Sequence, residues 1–169
     1  MTPAVVLLVF LPMLVEGRRA ARNERAQLAR GGIQPHADVY IYELMRVIYP
    51  ASFLAMLLEG AWRGAPPVAV GMGGALLFVV AKLLKWWAIL TLGRAWTFRV
   101  IVVPGDPIIS DGPYHFLRHP NYLGVVGEFV SVALMTGAVV TGPAVTMGCL
   151  WLLWRRTVVE ERSLFQAHG

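Results

Sequence analysis

Five apolar runs break up this chain, and they limit what it can fold into more than any other feature. They cover about Thr2–Val15, Val39–Leu58, Pro67–Leu92, Asn121–Thr136 and Gly142–Trp154. Apolar runs near the roughly 20 residues that cross a bilayer must leave water, and there only helices or closed barrels satisfy the backbone. Hydrophobic residues make up 57% of the chain, above the roughly 45–50% apolar content of soluble domains, and the mean hydropathy is +0.60. The expectation is an all-α integral membrane bundle of about five transmembrane helices, one domain over residues 1–169. The first run is short for a span and either tilts little or extends as a helix into "EGRRAARNERAQLARGG", with Gly31-Gly32 as the stop. Runs four and five form a helical hairpin across "TGAVVTGP". No basic stretch precedes the first run and no small-residue cleavage pattern follows it, so a removable signal peptide is not expected.

The net charge of +5 raises the question of nucleic acid. The basic residues, however, flank the apolar runs instead of lining one solvent face, which suits membrane orientation better than phosphate tracking. Arg18–Asp38 holds five Lys/Arg, Gly93–Pro120 three and Arg155–Gly169 three, whereas the opposite loops hold only Arg63. Five spans put all three basic regions on one side, and the positive-inside rule makes it cytoplasmic. The N-terminus is then outside and the C-terminus inside. The single cysteine, Cys149, sits in an apolar run, so no disulfide forms within one chain and buried packing is its expected role. Six tryptophans read mainly as interface belts.

Polar chemistry collects in "GPYHFLRHPNYLG", Gly112–Gly124, at the mouth of the fourth run. Pro120 disfavours helix at His119 and suits the first turn of a new helix, whose backbone donors can hold an anion. His, Arg and Tyr at this depth either line a polar cavity or anchor an interfacial loop. His115 and His119 are four apart, but Pro120 breaks the helix that such a pair needs, so no metal is expected. The tail "RTVVEERSL" puts Arg156 and Glu160 on one helical face, as a surface ion pair or as a cation and a carboxylate at the same cavity. Within the runs, pairing or snorkelling accounts for Glu43 with Arg46 and for Lys82 and Lys85. Glu128 has no local partner and is a candidate to face the cavity. "GMGG", Gly71–Gly74, lies in an apolar helix without a preceding strand, so it marks close helix packing and not a nucleotide loop.

With these residues placed, the chain resembles the isoprenylcysteine carboxyl methyltransferase family of membrane enzymes. The likeness is dense from "LGRAWTFRVIVVPGDPIISDGPYHFLRHPNYLGVVGE" to "RRTVVEERSL" and weaker in "RRAARNERAQLARGG". The resemblance implies S-adenosyl-L-methionine as cofactor on the cytosolic side and a lipophilic acceptor entering from the bilayer. It implies a cofactor-binding and catalytic part at about 93–169, with Pro107, Ile108, Ile109, Tyr114, His119, Pro120, Asn121, Tyr122 and Glu160 at the cofactor. Asp106, where many members have His, is counted with them. Arg156 would hold the acceptor, and Arg156 and Glu160 would carry the reaction. The acceptor the resemblance implies is an isoprenylcysteine-like carboxylate, or a hydroxyl of a long-chain phenolic lipid or alkylpyrone, the latter classes being those on which similar bacterial enzymes act. A multi-pass protein of a bacterial inner membrane, contacting lipids but with no nucleic-acid or protein partner, follows. "RHPNYLG" also resembles a string in membrane sterol and steroid reductases, so a nicotinamide-dependent reductase stands as the alternative, with a non-catalytic membrane scaffold or small transporter as the third.

Overall fold

The computed structural model describes residues 3–168, so the expected start at Thr2 and the terminal Gly169 lie outside it. The described residues form five α-helices: α1 Pro3–Ala29, α2 His36–Arg63, α3 Val68–Leu92, α4 Pro120–Thr136 and α5 Thr141–His168. No strand occurs among them beyond one antiparallel bridge between Ile33 and Val102. The all-α expectation holds. Two helices, α2 and α3, are long and apolar enough to cross a membrane. The apolar parts of α1 and α5 run on into charged helix, and the 17 residues of α4 rise only about 25 Å. Exposed apolar side chains such as Leu11, Leu54, Leu83, Leu123 and Trp151 clothe all five helices.

Local chemistry sets the helix ends. Gly31, at φ 84°, takes the left-handed conformation that ends α1. Pro120 opens α4 at its first position, where its missing N–H costs no hydrogen bond. One cap comes from far away: the Glu59 carboxylate, near the end of α2, accepts from the backbone N–H groups of Val140 (3.1 Å) and Thr141 (2.7 Å). It thereby satisfies donors that the first turn of α5 leaves free.

Helices α3 and α4 approach closely because small residues face each other. A Cβ on Gly74 would come within 2.9 Å of the Ser131 carbonyl oxygen, and one on Gly124 within 2.9 Å of Lys85 Cβ. The last glycine of "GMGG" is thus a packing glycine. The core on the α2–α4–α5 side centres on Phe53 and Phe129, stacked 4.8 Å apart, with Met56, Cys149 and Leu153 around them. Cys149 is buried and free, as expected.

The polar half of α1 does more than carry orienting charge. Glu16, Ala20, Asn23 and Gln27 recur at helical spacing and are all buried. Asn23 Nδ2 donates to the carbonyls of Trp96 (2.8 Å) and Gly93 (3.0 Å), and Gln27 Nε2 to that of Arg94 (2.9 Å). Glu24 accepts from the backbone N–H groups of Phe98 (3.2 Å) and Arg99 (3.3 Å). These bonds fix the 96–119 connection against the bundle.

Candidate active site

The clasped connection roofs a cavity of about 480 Å³ that takes lining residues from all five helices. Of the residues singled out in the sequence, Asp106, Pro107, Ile108 and Ile109 line it from the connection. Tyr114, His119, Asn121 and Tyr122 line it around the start of α4, and Arg156 and Glu160 from α5. Pro120 does not line it; it is fully buried and acts by starting α4.

Glu160 is held by the Tyr122 hydroxyl, which donates to Oε2 at 2.7 Å. The Tyr122 ring stacks on His119, centroids 5.3 Å apart and planes within 7°. His119 Nε2 lies 3.4 Å from Glu161 Oε1, which also faces Arg118 at 3.7 Å. Burial, and then the Glu160 charge, push the Tyr114 phenol above its ordinary pKa, so it is a neutral hydroxyl throughout the working pH range.

Arg156 is no surface ion pair. It is 8% exposed, and its Nη2 donates to the Phe98 carbonyl while its Nε stands 3.8 Å from Asp38 Oδ1. Asp38 is fully buried and also accepts from Val100 N–H (2.9 Å) and Gln34 Nε2 (3.0 Å). Sequence reasoning missed Asp38. The one signal was an acidic residue in the first turn of α2, a position also favoured for the helix dipole alone. Asp106 pairs with Arg30 at 2.5 Å.

At the inner end of the cavity, the expectations for the buried charges need correction. Lys82 and Lys85 neither pair locally nor snorkel. Lys82 Nζ lies 3.0 Å from Glu16 and 2.8 Å from Glu128, and Lys85 Nζ 2.7 Å from Glu16 and 3.2 Å from Glu128. Tyr49 donates to Glu128. Glu128, without a partner in its own helix, is thus enclosed by two lysines and a phenol, while Glu16, Tyr49 and Lys85 line the cavity. Glu43 and Arg46 do pair, at 2.8 Å.

The residues suit a polar small molecule with a positive centre. Asn121 Oδ1 and Trp96 Nε1 are buried without a hydrogen-bond partner, and both residues belong to the lining. Such groups are costly unless a bound molecule satisfies them. Glu160 offers a carboxylate, and the volume falls in the roughly 300–1,000 Å³ of small-molecule sites.

Residues 74–166 match the isoprenylcysteine carboxyl methyltransferase (ICMT) family. The chain is 26% identical over 161 residues to the uncharacterized protein YpbQ of Bacillus subtilis, covering 95% of this chain and 94% of that one. An uncharacterized protein of Haemophilus influenzae is 24% identical over 144 residues, 85% of this chain and 83% of its own length. A probable protein-S-isoprenylcysteine O-methyltransferase of Oryza sativa is 28% identical over 102 residues, which span 57% of this chain and 51% of the rice protein. No solved structure matches the chain. The matched residues include the connection from Trp96, the start of α4 and the α5 segment with Arg156 and Glu160, and on that match the chain belongs to the isoprenylcysteine carboxyl methyltransferase family.

Proposed function

We propose that this protein is an S-adenosyl-L-methionine-dependent O-methyltransferase whose lipophilic acceptor enters from the bilayer, bearing either an isoprenylcysteine-like carboxylate or a phenolic or pyrone hydroxyl. The observation that carries the reading is the convergence of Glu160, Tyr122, His119 and Arg156 on one cavity within the family-matched segment. Bound S-adenosyl-L-methionine would supply an electrophilic methyl group on a positively charged sulfur. Asn121 and Trp96 have free hydrogen-bonding capacity for its polar groups, and Glu160, fixed by Tyr122, opposes its positive charge. Arg156, pinned by Phe98 and Asp38, has a set position from which to orient an acceptor oxygen. Val125 and Leu153, both buried, supply apolar wall that excludes water, and Ile108 and Ile109 add apolar lining from the connection. In-line transfer needs mainly alignment and dryness. A carboxylate acceptor is already a nucleophile at neutral pH, whereas a phenol must lose its proton.

The same reading takes 1–169 as one membrane domain of five spans in a bacterial inner (plasma) membrane, with the N-terminus outside and the site facing the cytoplasm. The bias of eleven Lys/Arg against one in the flanking regions supports it. Calorimetric titration of the detergent-solubilised protein with S-adenosylhomocysteine and with reduced nicotinamide dinucleotides tests the cofactor. Transfer of label from methyl-labelled S-adenosyl-L-methionine to a panel of prenylcysteine and long-chain phenolic acceptors tests the reaction. Binding of the nicotinamide alone overturns the proposal in favour of a reductase; binding of neither points to a scaffold. A cysteine placed at Arg63 should react with an impermeant probe from outside the cell and one at Arg22 should not.

A further inference from the structure

A second recess lies away from the cavity, on the outer face of α1. It has a volume of about 420 Å³ and is lined by Val15, Arg18, Arg19, Arg22, Arg25 and Trp86. Four guanidiniums bordering one groove repel each other unless something negative lies among them. Among the described residues nothing of that kind is paired with them. The two carboxylates of α1 are engaged elsewhere: Glu16 by Lys82 and Lys85, Glu24 by the backbone of Phe98 and Arg99 and by the Arg99 side chain. Among the described residues, Arg18, Arg19 and Arg22 have no ion-pair or hydrogen-bond partner, and Arg25 donates only to the Ala21 carbonyl one turn back.

The arginine stripe is also the continuation of an apolar one. Leu7, Leu11 and Leu14 share a helix face with Arg18, Arg22 and Arg25, at offsets of 4, 7, 11, 15 and 18 residues from Leu7. All six are exposed. From Leu7 to Val15 the helix rises about 12 Å, close to the roughly 15 Å of one leaflet's hydrocarbon. Apolar surface of leaflet depth ends at a cationic pocket with Trp86 beside it, and tryptophan favours the headgroup level. Free phosphate would use only the arginines. An acidic protein would not use a leucine stripe at membrane depth. A phospholipid uses both.

We propose that this face of α1 is a binding site for an anionic phospholipid, its phosphodiester headgroup among Arg18, Arg19, Arg22 and Arg25 and its acyl chains along Leu7, Leu11 and Leu14. Because the opposite face of α1 clasps the cavity roof through Asn23 and Gln27, the bound lipid braces the helix that holds the connection over the candidate active site.

The test uses the full chain purified in micelles doped with phosphatidylglycerol or phosphatidylcholine, with retained lipid counted by native mass spectrometry and affinity read by titration. Phosphatidylglycerol should be retained in preference to phosphatidylcholine. An interfacial arginine contributes about fivefold to affinity for an anionic lipid, so Arg18→Gln with Arg22→Gln should weaken phosphatidylglycerol binding about 25-fold. Arg162→Gln, which removes an exposed arginine from the far end of α5, should change it by about twofold or less. Soluble glycerophosphate, lacking acyl chains, should compete poorly. Equal retention of the two lipids, the same loss in the Arg162 control as in the double variant, or glycerophosphate binding as tightly as the lipid would each overturn the proposal. None of these measurements depends on methyl transfer.

Discussion

Replacing Lys85 with methionine tests whether the buried charge cluster holds the bundle together. Lys85 is 3% exposed, and its Nζ reaches Glu16 at 2.7 Å, Glu128 at 3.2 Å and the Tyr49 hydroxyl at 3.3 Å. Methionine keeps most of the stem volume and removes the charge, so the cavity contribution is small. What remains is two carboxylates, Glu16 and Glu128, each 1% exposed, sharing Lys82 alone. Removing one partner from a buried ion pair costs about 3–5 kcal/mol. For a chain of this length each kcal/mol moves Tm by about 2–4 °C, so the midpoint should fall by about 6–20 °C. The assay is thermal unfolding in micelles followed by tryptophan fluorescence. Adding Glu128→Gln to Lys85→Met restores neutrality, leaving Glu16 against Lys82, and should recover roughly half of the loss through coupling between the sites. A single variant within about 2 °C of the parent would refute the reasoning, because the carboxylates would then be solvated from the cavity and not held by the lysines.

Glu160→Gln should weaken S-adenosylhomocysteine binding about tenfold or more, because a charge-assisted hydrogen bond is worth about 1.5–3 kcal/mol, and Tyr122→Phe should weaken it less; calorimetry reads both. Arg156→Ala should leave that affinity within about threefold but lower acceptor turnover about ten- to a hundredfold, measured by label transfer, and it should also lower Tm because the buried Asp38 loses its cationic partner. Gly124→Ala should cost about 1–3 kcal/mol, read as a lower Tm, since its Cβ would sit 2.9 Å from Lys85 Cβ and 3.3 Å from Lys85 Cα. Gly148→Ala, with nothing within 4 Å of its Cβ position, should be neutral or stabilise by up to about 1 kcal/mol in the same melt.

The helices and the polar mouth of α4 were legible because local chemistry writes them. Gly31 needs a left-handed φ wherever the chain goes, and Pro120 opens a helix with no help from its neighbours. Apolar runs and flanking arginines likewise act through composition. The tail spacing put Arg156 and Glu160 on one face, and both reached the cavity. What the sequence could not give was the set of partners. Asp38 lies over a hundred residues from Arg156, Glu16 lies 69 residues from Lys85, and Glu59 caps a helix that starts 82 residues later. No local pattern encodes such pairs. A charged residue inside an apolar run shows only that something must compensate it; the compensating group is chosen by which helix faces meet. That choice belongs to packing, where Gly74 and Gly124 let α3 and α4 close on each other and bring Lys82 and Lys85 against Glu128 and, from α1, Glu16. The sequence by itself determined the five helical segments, the stop of α1, the start of α4 and the chemistry at the cavity mouth. Tertiary structure alone decided which buried charges neutralise one another, because that energy depends on distances of a few ångströms between residues far apart in the chain.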